Sequence, residues 1–171
     1  MSNEVERKFL IKNFPDNLPL KLTATVDQGY ISTKLELRIR ARTVEGEKEN
    51  YKFAYKSKGM LSRTEIEFLI SKPIYNWLKK TFIKFPLINK LYKVYELPNG
   101  LELECSLVDR NSYNFFYYAE VEFHGKTKEE AEKLAKAFKP EMYFGDILIS
   151  EVTEDPEWKM KNYWNSRKAC M

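Results

Sequence analysis

The feature that most constrains this chain is an alternation of apolar and charged residues with period two, repeated along most of its length. A β-strand turns successive side chains to opposite faces, so each such run is a ribbon with one apolar and one ionic face. The runs cover about 3–11, 24–33, 35–43, 49–58, 61–71, 88–97, 100–108 and 115–124. Gly46, Gly59 and Pro98-Asn99-Gly100 punctuate the gaps, and Asn-Gly suits a hairpin turn. Short links between successive strands predict an antiparallel meander of roughly eight strands.

Three segments have helical signatures instead. Pro73 fits the first turn of a helix to about Lys84, with Ile74, Trp77, Leu78 and Phe82 on one side. Thr127-Lys128-Glu129-Glu130 is a capping box opening a helix to about Lys139, striped by Ala131, Leu134, Ala135 and Phe138. Asp155-Pro156 opens a last helix, in which Trp158 and Trp164, like Trp77 earlier, are read as packing residues. The fold class is α+β, and 171 residues with 43% hydrophobic content support one domain over 1–171 with a real core.

Several functional classes are excluded by counting. The chain has one histidine, His124, read as a surface residue, so multi-histidine metal sites are out. Its two cysteines, Cys105 and Cys170, form no CxxC pattern; Cys105 falls on the apolar side of its strand. No cleavable leader and no run of ~18 apolar residues occurs, so a cytoplasmic protein without a membrane partner is expected. With 29 basic and 25 acidic residues the net charge is only +4, too even to argue for nucleic acid by itself, and the basic residues alternate with acids rather than forming one stripe.

The ionic faces carry the functional signal. Glu4, Glu6 and Lys8 share one face of the first strand, and Arg38, Arg40 and Arg42 one face of the third. Lys52 and Lys56 line the fourth, Arg63, Glu65 and Glu67 the fifth, Glu102 and Glu104 the seventh, and Glu120 and Glu122 the eighth. Either these faces are solvated, or the sheet closes into a barrel with its charges turned inward, for which about eight strands suffice. The sign pattern favours the second arrangement. Carboxylates recur as i, i+2 pairs, with arginine and lysine concentrated on the strands between them. Side chains so spaced lie ~7 Å apart, close enough to lean toward one hard divalent cation. Arginine forks on the opposite wall match phosphate oxygens.

In order along the chain, Glu4-Val5-Glu6-Arg7-Lys8 reproduces an ExExK signature. Gln28-Gly29-Tyr30, Leu37-Arg38-Ile39-Arg40, Tyr55-Lys56-Ser57 and Leu61-Ser62-Arg63-Thr64-Glu65-Ile66-Glu67 follow. Lys90, Leu101-Glu102-Leu103-Glu104, Ala119-Glu120-Val121-Glu122 and Glu151-Val152-Thr153 complete the series. In this order the motifs resemble the CYTH family, the triphosphate tunnel metalloenzymes.

That resemblance implies a closed eight-stranded antiparallel β-barrel, a tunnel with a charged interior and helices packed outside. It implies metal-dependent hydrolysis of a small-molecule triphosphate, inorganic or organic, with Mg²⁺ or Mn²⁺. Carried over by position, Glu4, Glu6, Glu65, Glu67, Glu102, Glu104, Glu120, Glu122 and Glu151 are the metal-ligand candidates, and Lys8, Arg38, Arg40, Lys56, Arg63 and Lys90 the phosphate clamp. Lys90 and Tyr92 are the candidates for proton transfer. An adenylyl cyclase forming cyclic AMP and diphosphate, and a triphosphate-binding protein without turnover, are the alternatives; the oligomeric state stays open, a homodimer among the options. The chain departs from the family pattern twice: Tyr92 stands where relatives often carry a basic residue, and Glu157-Trp158 and Met160 replace a basic-aromatic pair and an asparagine.

Overall fold

A computed structural model describes residues 2–57 and 61–169, apart from the side chains of residues 2–4, 62, 63, 168 and 169. All eight expected strands form: β1 (Ser2–Ile11), β2 (Leu20–Ser32), β3 (Leu37–Val44), β4 (Asn50–Lys56), β5 (Ser62–Ile70), β6 (Ile88–Glu96), β7 (Glu102–Val108) and β8 (Phe116–Glu122). A ninth, β9 (Leu148–Glu151), is added; four residues are too short a run for alternation to register. The helices are α1 (Lys72–Phe82), α2 (Lys128–Ala137), α3 (Glu141–Phe144) and α4 (Met160–Ala169).

The strands form one antiparallel sheet in the order β5-β4-β3-β2-β6-β7-β8-β1-β9, with a further pairing between β5 and β1. The expected meander therefore holds within β2–β5 and within β6–β8 but breaks elsewhere. The link over 12–19, with Pro15 and Pro19, carries the chain away from β1, and β2 pairs with β6 instead. β1 divides its length among partners: Ser2–Val5 lie against β5, Glu6–Ile11 against β8, and Phe9–Ile11 also against β9.

The apolar faces are covered as the alternation requires. Val5, Phe9, Leu103, Cys105, Ala119 and Val121 pack beneath α2 and α3 through Ala131, Ala135, Phe138 and Phe144. Each large side chain removed from water in this way contributes about 1.5–3 kcal/mol. The capping box on α2 forms: Thr127 Oγ1 accepts from the Glu130 amide at 3.2 Å, and the Glu130 carboxylate accepts from the Lys126 amide at 2.7 Å. Arg7, on the outer face of β1, donates to the Ala135 and Phe138 carbonyls at 2.8 and 2.6 Å and so satisfies the end of α2.

Two helical expectations change. Asp155-Pro156 opens a single 3₁₀ turn over Pro156–Trp158, and the last helix begins only at Met160. On α1, Tyr75 is the residue that docks, its ring 4.9 Å from that of Tyr51. Ile74, Trp77 and Phe82, expected to pack, are instead half exposed. The helix seats through Tyr75, Leu78 and the following Ile83, which rotates the aromatic side outward.

Candidate functional site

The ionic faces look into a cavity of about 330 Å³. From β1 come Glu6 and Lys8, from β3 Arg38, Arg40 and Arg42, from β4 Lys52 and Lys56, and from β5 Glu65 and Glu67. The wall continues with Lys90 and Tyr92 of β6, Glu104 of β7, and Glu120 and Glu122 of β8. In the pairing order the signs segregate. β4, β3 and β6 supply cations, β7, β8 and β5 supply carboxylates, and β1 supplies one of each.

At the seam between β5 and the basic strands, Arg38 donates to Glu65 at 2.5 Å, Lys56 lies 3.1 Å from the same carboxylate, and Lys52 lies 2.7 Å from Glu67. Lys8 lies 3.1 Å from Glu120 and 3.7 Å from the centre of the Tyr118 ring. Burial pushes the Glu120 carboxyl up, yet the ammonium groups of Lys8, Lys90 and Lys56 outweigh it and hold Glu120 well below the usual carboxylate range.

Lys90 is buried and donates to the Tyr118 hydroxyl at 2.7 Å. Burial, then repulsion from Arg40, Lys8 and Arg38, drives its ammonium well below the ordinary lysine value despite Glu120 nearby. Arg40 is likewise destabilised by burial and by Arg38 but stays charged. Its Nε is buried without a hydrogen-bond partner among the described residues. Tyr92 lies under the Arg42 guanidinium at 4.9 Å and hydrogen-bonds Glu104. Burial raises the Glu104 carboxyl and Glu120 adds to the rise, which the Tyr92 hydroxyl only partly offsets.

Two carboxylate pairs that line the cavity stand directly opposite across strands: Glu6 with Glu122, and Glu104 with Glu120. Like charges in that relation destabilise a sheet unless a proton or a cation intervenes. No group of three or more histidine, cysteine or acidic side chains among the described residues is placed to hold a metal ion. The fit to a hard cation therefore rests on facing oxygen pairs, completed by ligands from elsewhere.

Most of the sequence-derived candidates line this cavity, but two do not. Glu102 sits at the surface against Lys21, 2.5 Å away. Glu151 is turned onto the Arg7 fork, with contacts of 2.8 and 2.5 Å, and also accepts from the Thr153 hydroxyl. Glu4 and Arg63 lie outside the described side chains. Arg42 and Lys52 were visible in the alternation but not carried into the clamp, and both line the wall. Tyr30, Tyr118, Thr153 and Trp158 also line it, and these uncharged side chains carry no ionic signature in the sequence. Lys93 points outward over the Phe14 ring, as the alternation predicts.

No family model matches the chain. It is 33% identical over 165 residues to an inorganic triphosphatase of Nitrosomonas europaea, spanning 92% of this chain and 94% of that one. A crystal structure of an inorganic triphosphatase superposes with a TM-score of 0.60 at 27% identity, covering 95% of each chain. A Hippeastrum protein named as an adenylyl cyclase, with a dominant triphosphatase activity, superposes with a TM-score of 0.54 over 98% of this chain and 96% of its own. At 13% identity that last likeness is one of fold. An α+β fold built on one antiparallel sheet is the class of fold that the chain shares with both structures. Through its likeness to the Nitrosomonas enzyme over nearly the whole of both sequences, the chain belongs to the CYTH-type family.

Proposed function

We propose that this protein is a metal-dependent triphosphatase that hydrolyses inorganic tripolyphosphate or a related small triphosphate inside a closed barrel. The barrel is inferred from the β1–β5 pairing, which joins the two ends of the strand order β5-β4-β3-β2-β6-β7-β8-β1. The observation that carries the function is the segregation of charge in the cavity, cations on β3, β4 and β6 facing carboxylates on β7 and β8. A polyanion binds along the first wall and a divalent cation beside the second, each relieving repulsion that the other wall cannot.

Arg38, Arg40, Lys56 and Lys90, with Lys8, form the phosphate clamp, and Arg42 and Lys52 extend it. The buried Nε of Arg40, lacking a protein partner among the described residues, fits a phosphate oxygen. Glu6 and Glu122, the facing pair, would hold Mg²⁺ or Mn²⁺, with Glu104, Glu120 and Glu4, whose side chain lies outside the described residues, as further candidates. Such an ion, when bound, neutralises phosphate oxygens and makes coordinated water more acidic. Glu65 and Glu67 orient Arg38, Lys56 and Lys52 through their ion pairs.

Lys90, driven toward its neutral amine, is the group placed to take a proton from the attacking water. Water oxygen joins the terminal phosphorus, the bond to the bridging oxygen breaks, and orthophosphate and diphosphate leave. Tyr92, whose phenol burial holds in the neutral form, serves as a hydrogen-bond donor. The clamp stabilises negative charge on the transferring group, the main demand of a loose phosphoryl transition state.

The test is phosphate release from tripolyphosphate and from ATP with Mg²⁺ and with Mn²⁺, for the wild type and Glu6→Gln/Glu122→Gln. The expected result is orthophosphate as product, falling at least a hundredfold in the variant while its thermal midpoint holds. Unchanged turnover in that variant, or cyclic AMP and diphosphate as the products from ATP, would overturn the proposal.

A further inference from the structure

Helix α1 carries a surface that neither the cavity nor the core uses. Trp77 is 59% exposed, Ile74 and Phe82 are 48% exposed each, and Phe85 follows on the turn after the helix at 37%. The Trp77 and Phe82 rings meet edge to face at 5.9 Å, so these two belong to one patch. None of these four lines the cavity. Clustered exposed aromatics of this kind mark an interaction site.

The charge on the helix itself is one-sided. Lys79, Lys80 and Lys84 are exposed, and none has an acidic partner among the described residues. The Lys84 ammonium donates only to the Lys80 carbonyl, at 3.3 Å. Lys72 lies 3.9 Å from Glu49, the limit of an ion pair. A second copy docking by two-fold symmetry through this face would set lysine against lysine. The apolar side chains also stand on a convex helix and turn, whereas peptides are held in grooves. An amphipathic helix with Trp and Phe on one side and lysines flanking them fits the interface of an anionic bilayer, the rings at headgroup depth and the ammonium groups on lipid phosphates.

We infer that α1 and the turn after it dock this protein on anionic lipid surfaces, peripherally and without insertion of a span. No helix among the described residues is long and apolar enough to cross a membrane. The inference departs in this respect from the sequence-based expectation of no membrane partner. The inference does not depend on which triphosphate the cavity takes.

The experiment is flotation of the full chain with vesicles of phosphatidylglycerol and phosphatidylcholine in equal parts, and with phosphatidylcholine alone, at low and at physiological salt. Because any cationic protein is drawn to anionic vesicles, Lys79→Glu/Lys80→Glu is compared with Lys133→Glu/Lys136→Glu on α2, which changes net charge equally. The inference expects binding to the anionic vesicles only, weakened at least tenfold by Lys79→Glu/Lys80→Glu and by Trp77→Ala, but less than twofold by the α2 pair. Tryptophan emission should shift blue on binding in the wild type and much less in Trp77→Ala. Phosphate release and thermal midpoint are measured on every variant to exclude misfolding. Equal weakening by both lysine pairs, no binding to anionic vesicles, or a stable dimer in solution that Trp77→Ala dissociates would overturn it.

Discussion

Lys90 sits among Arg40, Arg38 and Lys8 with Glu120 opposing them, and its amine is buried against Tyr118. Its proton is therefore held less tightly in the folded protein than in the unfolded chain, where the ordinary value of 10.5 applies. The folding penalty is present in full below the lowered value and fades as pH rises toward 10.5. With no divalent metal to offset its charge, a bound polyanion reverses the local field and returns the proton. Calorimetric titration with tripolyphosphate in two buffers of different ionisation enthalpy, without divalent metal, should show the wild type taking up more protons than Lys90→Met, by up to about one per site. Equal uptake by the two proteins would mean that Lys90 is already charged in the free cavity.

The same alternation that reveals Lys90 in the sequence also explains where reading by residue type falls short. It assigns a face, and Glu6, Lys8, Arg38, Arg40, Lys56, Glu65, Glu67, Glu104, Glu120 and Glu122 all share the cavity face. It is blind to position along the strand. Glu102 has the same parity as Glu104 but lies opposite Glu96 at the sheet's rim, where Lys21 reaches it. Glu151 is drawn off by Arg7, a residue on the outer face that no ionic pattern links to it.

Arg7 also shows how strands and helices are fastened together. One guanidinium binds the last carbonyls of α2 and the carboxylate of β9, so β1 is tied at once to a helix and to a strand more than a hundred residues away in sequence. Charge-assisted hydrogen bonds of this kind contribute about 1.5–3 kcal/mol. Arg7→Ala should lower stability by about 2–3 kcal/mol, seen as an earlier denaturant midpoint with an unchanged slope. A loss below about 0.5 kcal/mol would reduce the contact to an ordinary surface ion pair. The length of α2 was readable because Thr127 and Glu130 mark its start, whereas β9 and α3, four residues each, are too short for periodicity. The orientation of α1 was misread for another reason. Several apolar residues ring that helix, and only the choice of Tyr75 as its anchor decides which of them faces water.

The proposed closure of the sheet rests on the start of β1. The Glu6 amide donates to the Leu61 carbonyl at 3.1 Å on one side, and the Phe123 amide donates to the Val5 carbonyl at 2.7 Å on the other. Hydrogen exchange should find both amides protected to a similar degree, since a barrel leaves neither edge open. Exchange of the Glu6 amide within minutes, beside a protected Phe123, would describe an open sheet. The expected helices over the exterior are in place, but α4 does more than cover. It buries Trp164 against Tyr30, a cavity-lining residue, and clasps Glu36 through Lys161 at 2.8 Å. Sequence reading could foresee a packed tryptophan there, but not its place beside the cavity, because no local pattern encodes which end of a sheet a distant helix reaches.

The pairing of β1 also bears on biogenesis. It precedes all of its partners in the chain, and they are spread over residues 62–65, 117–122 and 148–151. A nascent chain must hold Glu6–Ile11 unmatched until residues 117–122 have been made, a high-contact-order arrangement that slows folding and leaves an unpaired edge open to aggregation.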